Sequence, residues 1–501
     1  MAGTPSSASM PQPIYLSADL RRIEEAAAAN AGATSLMERA GQAAADLAAQ
    51  LVSERGKDVL VLAGPGNNGG DAYEVAAHLK SEYFRVSLVS PADPAALPRD
   101  AQHAHRKWLD AGGEVLSAVP QDRKWALVVD GLFGIGLARA PQAEYAQLIK
   151  FANSQRCPVL ALDIPSGLES DTGRVLGEVV RATHTITFIA LKPGLLTLDG
   201  PDHCGAVTVA DLGIAAGVVE QGAWIAGPEL FANLLKPRLR NFHKGQAGSV
   251  CILGGASGMA GAALLAGRAA LMLGSGRVYV GMLAPEAPIV DLTVPELMLR
   301  HPDEALGMEL DALVVGPGLG QGERAETLVG AALASDIPCV IDADALNLIA
   351  GNADLRDACA RRKADTLATP HPAEAARLLG VETSEVQQDR YAAAQRLSRE
   401  LHAHVVLKGG GSILFARDGH WFINTSGNAG MASAGMGDVL SGILGSLLGQ
   451  GYAGEATLVL GTHLHGVAAD EQVRAGIGPV GLTASETIVA ARRVWNGWHG
   501  G

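Results

Sequence analysis

Twice along this chain, short β-branched runs alternate with helical stretches, and that alternation restricts the fold more than any other feature. The first tract runs DVLVLA, DAYEVAAHLK, FRVSLVS, AQHAHRKWLDAG, WALVVDGLF, PQAEYAQLIKFANS and CPVLALDIP. The second runs SVCILGG, GAALLAGRAALMLG, RVYVGML, ALVVGPGLG, PCVIDADALNLI, ADTLATPHPAEAARLL and HVVLKGGGSILFA, then closes on a glycine-punctuated helix pair, GMASAGMGDVLSGILGSLLGQG and ATLVLGTHLHGVAADEQV. Strands joined by crossover helices pair in parallel, with both faces covered, and ligands gather at the carboxyl edge of such a sheet. At 501 residues the chain exceeds one ordinary core, and its order loosens from Gly213 to Pro237. Two unequal α/β domains are predicted, residues 1–225 and 226–501, the first a Rossmann-like three-layer parallel sheet. Ahead of it, Ser17 and Thr34 or Ser35 read as caps of the helices LRRIEEAAAANA and SLMERAGQAAADLAAQLV.

Composition removes several function classes. A net charge of -13 without any long basic run argues against nucleic acid as a partner. The most apolar segment, AALLAGRAALMLGSGRVYVG, is broken by Arg268 and Arg277, so no membrane partner is expected. The opening MAGTPSSASMPQP lacks the basic start, apolar middle and cleavage site of a secretory signal, and a cytoplasmic homo-oligomer acting on small molecules is expected. Cys157, Cys204, Cys251, Cys339 and Cys359 lie far apart and read as isolated thiols.

The strand DVLVLA runs into GPGNNGGDAYE, whose first six residues fit the G-x-G-x-x-G dinucleotide fingerprint. That fingerprint requires an acid at the end of the next strand to hold the ribose, and Ser90 stands there instead. Asn67, Asn68 and Asp71 also place side-chain amides and a carboxylate where a redox loop needs mostly backbone. Two further strands end in chemistry on the same edge, with Asp130 in LVVDGLFGIGLARA and with Asp163 and Ser166 in VLALDIPSGLESDTG. Each residue alone is ordinary, since Asp and Ser often cap helices or fix turns. Together Asn68, Asp130 and Ser166 offer hard oxygen ligands for an alkali or alkaline-earth ion, and Asp163 remains a carboxylate able to take or give a proton.

In SGNAGMASAGMGDVLSG, Gly435-Met436-Gly437 opens a helix whose free N–H groups form an anion hole, with Asp438 in its first turn. An anion hole beside a carboxylate suits phosphoryl transfer to a hydroxyl; glycines that merely allow close helix packing are the plainer alternative. VVLKGGGSIL supplies Lys408 and a glycine turn suited to an adenine nucleotide, and ATPHPAE stiffens His371 between two prolines. His463 and His465, at i and i+2 on a helix, point to different faces and read as structural or surface residues.

The combination GPGNNGGD, DGLFGIGL, DIPSGLESDTG and SLMERAG resembles the NAD(P)H-hydrate epimerase domain over roughly Pro13 to Gly213. NFHKGQAGSV, GPGLG, DADALN, TPHPAE, LKGGGS and GNAGMASAGMGDVLSG are similar to the ADP-dependent NAD(P)H-hydrate dehydratase family, of ribokinase-like α/β/α fold, from about Gly227 onward. The first resemblance implies interconversion of the R and S epimers of NAD(P)H hydrate, with Asp163 as acid/base and substrate contact. Its pocket would be lined by Asn67, Asn68, Gly69, Gly70 and Asp71 with Gly134, Ile135, Gly136, Leu137, Ala138, Arg139 and Ala140. It also implies potassium on Asn68, Asp130 and Ser166. The second implies dehydration of the S epimer of NADHX or NADPHX with ADP as co-substrate and magnesium beside it. Gly318, His371 and Asp438 would then meet the hydrate, and Lys408, Gly409, Gly410, Gly411, Ser412 and Gly437 the nucleotide, with Asp438 catalytic. One departure stands out, because Ala72 follows Asp71 where the first family usually continues with glycine. If position 72 needs a positive φ, alanine costs about 1 kcal/mol or more; a helix already under way at Asp71 places it at ordinary angles. A ribokinase-type small-molecule kinase and a first domain that only senses nucleotide are the rival readings.

Overall fold

The computed structural model describes residues 10–29, 34–52, 56–214, 222–235 and 237–499. The chain divides into two compact units, one from Gln12 to Ala223 and the other containing Trp224 onward.

In the first unit, strands β1 (Asp58–Ala63), β2 (Arg85–Val89), β3 (Val115–Leu116), β4 (Leu127–Gly131), β5 (Val159–Leu162), β6 (His184–Phe188) and β7 (Ala206–Ala210) form one sheet. Its order is β3-β2-β1-β4-β5-β6-β7, and every pairing is parallel. Helices α1 (Ser17–Ala29), α2 (Leu36–Val52), α3 (Asn67–Ser81), α4 (Arg99–Asp110), α5 (Ala143–Ser154) and α6 (Gly200–Cys204) accompany it. Both faces are apolar because alternate residues of one strand point opposite ways. Val59, Val61 and Val129 join a core with α2, α3 and α4, whereas Leu60, Leu62 and Val128 join another with Tyr145, Ile149 and Ala152 of α5. The doubly covered sheet is the expected one, although β3, β6 and β7 were not legible as separate strands.

The Ser17 expectation is corrected. Ser17 is the first residue of α1, and both its N–H and its hydroxyl donate to Asp171 Oδ1, at 2.7 and 2.8 Å. A carboxylate 154 positions away, invisible to local pattern, has taken the serine. At α2 the capping expectation holds on Ser35: its Oγ accepts from Glu38 N at 3.2 Å, and its own N–H donates to the Glu38 carboxylate at 2.9 Å. The predicted end of the first helix, Asn30-Ala31, lies outside the described residues.

The second sheet contains β8 (Ala223–Ile225), β9 (Ser249–Gly254), β10 (Arg277–Met282), β11 (Met298–Arg300), β12 (Ala312–Val315), β13 (Cys339–Ile341), β14 (Thr366–Ala368), β15 (His404–Leu407), β16 (Ser412–Phe415) and β17 (Trp421–Asn424). Their order is β11-β10-β9-β12-β13-β14-β15-β16-β17-β8. Pairing is parallel from β11 to β15 and antiparallel through the β15-β16-β17 meander. Around it lie α7 (Ala260–Met272), α8 (Pro302–Leu306), α9 (Glu323–Ala334), α10 (Ala343–Gly351), α11 (Ala353–Ala360), α12 (Pro372–Leu379), α13 (Thr383–Gln388), α14 (Arg390–Leu401), α15 (Met436–Gly449), α16 (Gly454–Arg474) and α17 (Ala484–Trp498). Val250, Ile252, Val280 and Val314 form the main core with α7, α15, α16 and α17. The stretch read as a loose connection is partly built in: Phe231, 1% exposed, belongs to that core.

Candidate active sites

The first site forms where α3 begins over the carboxyl ends of β1, β4 and β5. Gly64, leaving β1, lies so close to the next strand's turn that a Cβ there would stand 1.6 Å from the Leu132 carbonyl oxygen. Gly131, closing β4, is equally confined, with Asn68 O 2.9 Å and Ala72 Cβ 2.6 Å from the point where its side chain would start. These contacts bring the first turn of α3 onto Asp130. Asp130 is fully buried; Ser166 Oγ (2.7 Å) and Leu132 N (3.2 Å) donate to one carboxylate oxygen, Ser166 N (2.9 Å) to the other. Burial nonetheless pushes its carboxyl up to about 6, against those three donors. Asn68 is 7% exposed, and neither its Oδ1 nor its Nδ2 has a hydrogen-bond partner among the described residues. An amide left so deep without a partner is costly unless something outside the chain meets it.

Asp163 follows β5 at φ 66°, in the left-handed region that is uncommon for residues other than glycine, though aspartate enters it more readily than most. Lys192 Nζ lies 2.6 Å from its Oδ1. That lysine is 1% exposed and also donates to Thr187 Oγ1 (2.7 Å) and the carbonyls of Phe188 (2.9 Å) and Ala190 (3.3 Å). Gly134 stands between the two groups: a Cβ there would be 3.2 Å from Asp163 Oδ2 and 3.4 Å from Asn68 Cβ. One turn past Asn68 on α3, Asp71 has its carboxyl pushed well above the usual range by burial and then by the charges of Asp163, Glu24 and Glu74. Gly134 and Ile135 are half-buried, whereas Gly136, Ala138, Arg139 and Ala140 lie exposed along the loop toward α5. Ala72 sits in the second turn of α3, 0% exposed and at no positive φ, so the helical alternative for this position is the observed one. Sequence reasoning missed Lys192 and Glu24. The signal for Lys192 was a charge inside the apolar run FIALKPGLL.

The second site gathers at the N-terminus of α15. Gly435 caps it at φ 87° without a side-chain cap hydrogen bond, and Asp438 lies half-buried in the first turn. Burial, reinforced by Asp342 and opposed by Lys408, pushes the Asp438 carboxyl up to about 6. Lys408 follows β15, and its Nζ donates to Asp342 Oδ1 at 3.0 Å with Glu374 Oε2 at 3.9 Å. Gly437 leaves room for this pair, since a Cβ there would stand 3.3 Å from Lys408 Nζ. The glycine turn after Lys408 is held by Ser412 Oγ donating to Gly409 O at 3.0 Å. Beneath it lies Arg390, 2% exposed, whose guanidinium donates to the carbonyls of Leu407 and Lys408 at 3.2 and 3.4 Å. His371 caps α12, its Nδ1 accepting from Ala373 N (3.1 Å) and Glu374 N (3.4 Å), and burial lowers its basicity. Gly318 takes φ 57° where a Cβ would come 2.6 Å from Met259 O.

Asp342, Glu374 and Arg390 were missed because their importance arises from partners distant in sequence. The structural reading of the two histidines stands: His463 stacks on Trp498 at 6.0 Å, and burial holds His465 neutral, its basicity down to about 4. The cysteines are unbridged, and burial pushes the Cys204, Cys251 and Cys359 thiols up to about 12.

Residues 33–194 match the family model named YjeF-related protein N-terminus, and residues 250–488 match that named NAD(P)H-hydrate dehydratase. A bifunctional NAD(P)H-hydrate repair enzyme of Escherichia coli K12 is 40% identical over 505 residues, covering 97% of this chain and 95% of its own. Another, from Leishmania major, is 37% identical and covers 95% and 92%. Among solved structures, an ADP/ATP-dependent NAD(P)H-hydrate dehydratase from Bacillus subtilis, co-crystallised with ATP and magnesium, is 29% identical over 53% of this chain and 95% of its own, with a TM-score of 0.47. With 40% identity sustained across both units and a family model matched in each, the chain belongs to the bifunctional NAD(P)H-hydrate repair enzymes.

Proposed function

We propose that residues 226–501 regenerate NADH and NADPH from the S epimers of their hydrates at the expense of ADP, and that residues 1–225 interconvert the R and S epimers. The observation that carries this reading is Asp438, a half-buried carboxyl in the first turn of a helix that lacks a side-chain cap, and within the field of the Lys408 charge. Asp438 accepts the proton of the ring hydroxyl, whose oxygen bonds to the terminal phosphorus of ADP as the bond to AMP breaks. The amides of Gly437 and Asp438 and the Lys408 ammonium meet the charge on the transferred group. Phosphate then leaves the ring with its oxygen, a ring proton is lost, and the reduced nicotinamide is restored. A general base works best near its operating pH, which suits a carboxyl raised to about 6. His371 and Gly318 border the hydrate, and Gly409, Gly410, Gly411 and Ser412 the nucleotide. Magnesium, when bound, would supply charge neutralisation on the phosphates; Asp344, whose Oδ2 accepts from Gly320 N at 2.8 Å and whose charge acts on Asp438, is a hard-oxygen candidate to hold it.

In the first unit, Asp163 is the acid/base, oriented by Lys192, and the hydrate lies along Asn67 to Asp71 and Gly134 to Ala140. Potassium fits Asn68, Asp130 and Ser166: the donors are hard oxygens, and the buried Asn68 amide has no hydrogen-bond partner among the described residues. Bound there, potassium supplies a fixed positive charge next to a buried carboxylate. Only one epimer need fit the second pocket, and the first site replenishes it. ADP enters as co-substrate, and the chain works as a soluble homo-oligomer in the cytoplasm.

The test is the full-length enzyme with Asp438→Ala. ADP-dependent recovery of nicotinamide absorbance from the hydrate is expected to disappear while epimer exchange continues; recovery at the wild-type rate removes Asp438 as the base. A stable phosphorylated product in place of recovered coenzyme marks the chain as a small-molecule kinase.

A further inference from the structure

We infer that Asp342 is a positioning residue for the dehydration step, fixing the Lys408 ammonium beneath the open end of α15 so that one immobile positive charge faces the reacting group. This rests on the reading of Asp438 and ADP above. Asp342 ends β13 and is 1% exposed. Its two carboxylate oxygens are divided between two elements: Oδ1 accepts from Lys408 Nζ at 3.0 Å, and Oδ2 accepts from Ser441 Oγ at 2.6 Å. Ser441 is fully buried one turn beyond Asp438 on α15. The carboxylate therefore ties the end of β15, which carries Lys408, to the helix that carries Asp438. Gly437 is the matching allowance, because a Cβ there would meet Lys408 Nζ at 3.3 Å and Asp342 Oδ2 at 3.7 Å.

A lysine has four rotatable bonds, and free in a cleft it would spread its charge over several ångströms. Here the hydrogen bond to Asp342 selects one rotamer, and that rotamer turns the ammonium toward the helix end. Other charges also bear on Lys408: Glu374 of α12 at 3.9 Å, Asp438 of α15, His371 ahead of α12 and His465 of α16. Among the described residues, only Asp342 both hydrogen-bonds the ammonium and is itself anchored to α15. Asp342 touches neither nucleotide nor hydrate in this scheme; it acts through Lys408.

The experiment uses full-length enzyme, the S hydrate and ADP. Asp342→Asn is expected to lower kcat for dehydration roughly 100-fold, the scale on which a misplaced catalytic group slows a reaction, with the KM for ADP changed less than about threefold. In a Lys408→Met background the same substitution is expected to add nothing, because its route of action is already gone. A multiplicative loss in that background, or a change confined to KM, overturns the inference. If Asp342→Asn does not fold, Ser441→Ala decides, with an expected fall of about three- to tenfold in kcat at unchanged KM; wild-type kinetics there overturn it. An active wild type with an unaltered Asp342→Asn defeats this inference alone, whereas a wild type that recovers no coenzyme overturns the functional reading and this inference with it.

Discussion

The two units place a carboxylate and a lysine at the carboxyl edge of a parallel sheet, but they wire them differently. In the first, Lys192 binds Asp163 directly at 2.6 Å, and the lysine is sealed from water by Thr187 and two carbonyls. In the second, Lys408 binds Asp342 at 3.0 Å, so that Asp438 feels its charge without owning it. The consequence appears at Asp438, whose carboxyl burial carries up to about 6 despite the neighbouring cation. A direct pair orients a group; a cation committed elsewhere leaves its neighbour able to exchange a proton near neutral pH. On the roles proposed for Asp163 and Asp438, one fold class yields two acid–base devices by changing which carboxylate receives the lysine.

The harshest way to break this contrast is Lys192→Met. Removing one partner of a buried pair strands the other, at a cost of about 3–5 kcal/mol. Epimer exchange is expected to fall about 100-fold as Asp163 loses its orientation, with ADP-dependent recovery preserved. Chromatographic separation of the two epimers measures the first and absorbance the second. Exchange at the wild-type rate would show that Lys192 has only a packing role.

A gentler probe is pH. Asp438 must be ionised to accept a proton, so kcat/KM for dehydration should rise through about pH 6 and level off above it. The expected drop from pH 7 to pH 5 is about tenfold, and Asp438→Asn should erase the limb along with most of the rate. A flat profile over that range means that another group sets the proton transfer.

Much of this is legible in the sequence. Strand ends announced themselves because a β-branched run must stop where glycine or aspartate turns the chain, which is why Asp130, Asp163 and the Gly435 helix start fell where expected. Lys192 and Asp342 did not announce themselves. Each matters through an atom contributed from far along the chain, 29 residues away for Lys192 and 66 for Asp342. Ser17 failed for the same reason, its hydroxyl claimed by Asp171. Local pattern reports what a residue does to its own backbone; the charge inside FIALKPGLL marks Lys192 as unusual but does not name its partner.

The smallest effect concerns Ala72, where the resemblance of the first domain implies glycine. Because α3 begins at Asn67, Ala72 is an interior helical residue, fully buried against Gly131. Alanine is the better helix former by about 1 kcal/mol, and its buried methyl contributes about 0.8 kcal/mol more. Ala72→Gly should therefore lower stability by about 2 kcal/mol in urea unfolding while leaving epimer exchange unchanged. Were exchange instead to accelerate several-fold, the alanine would be what restrains the first site, and that domain would be a weakened catalyst beside an intact one. Unchanged exchange places the two sites on an equal footing, because the extra methyl then belongs to the helix packing and not to the pocket.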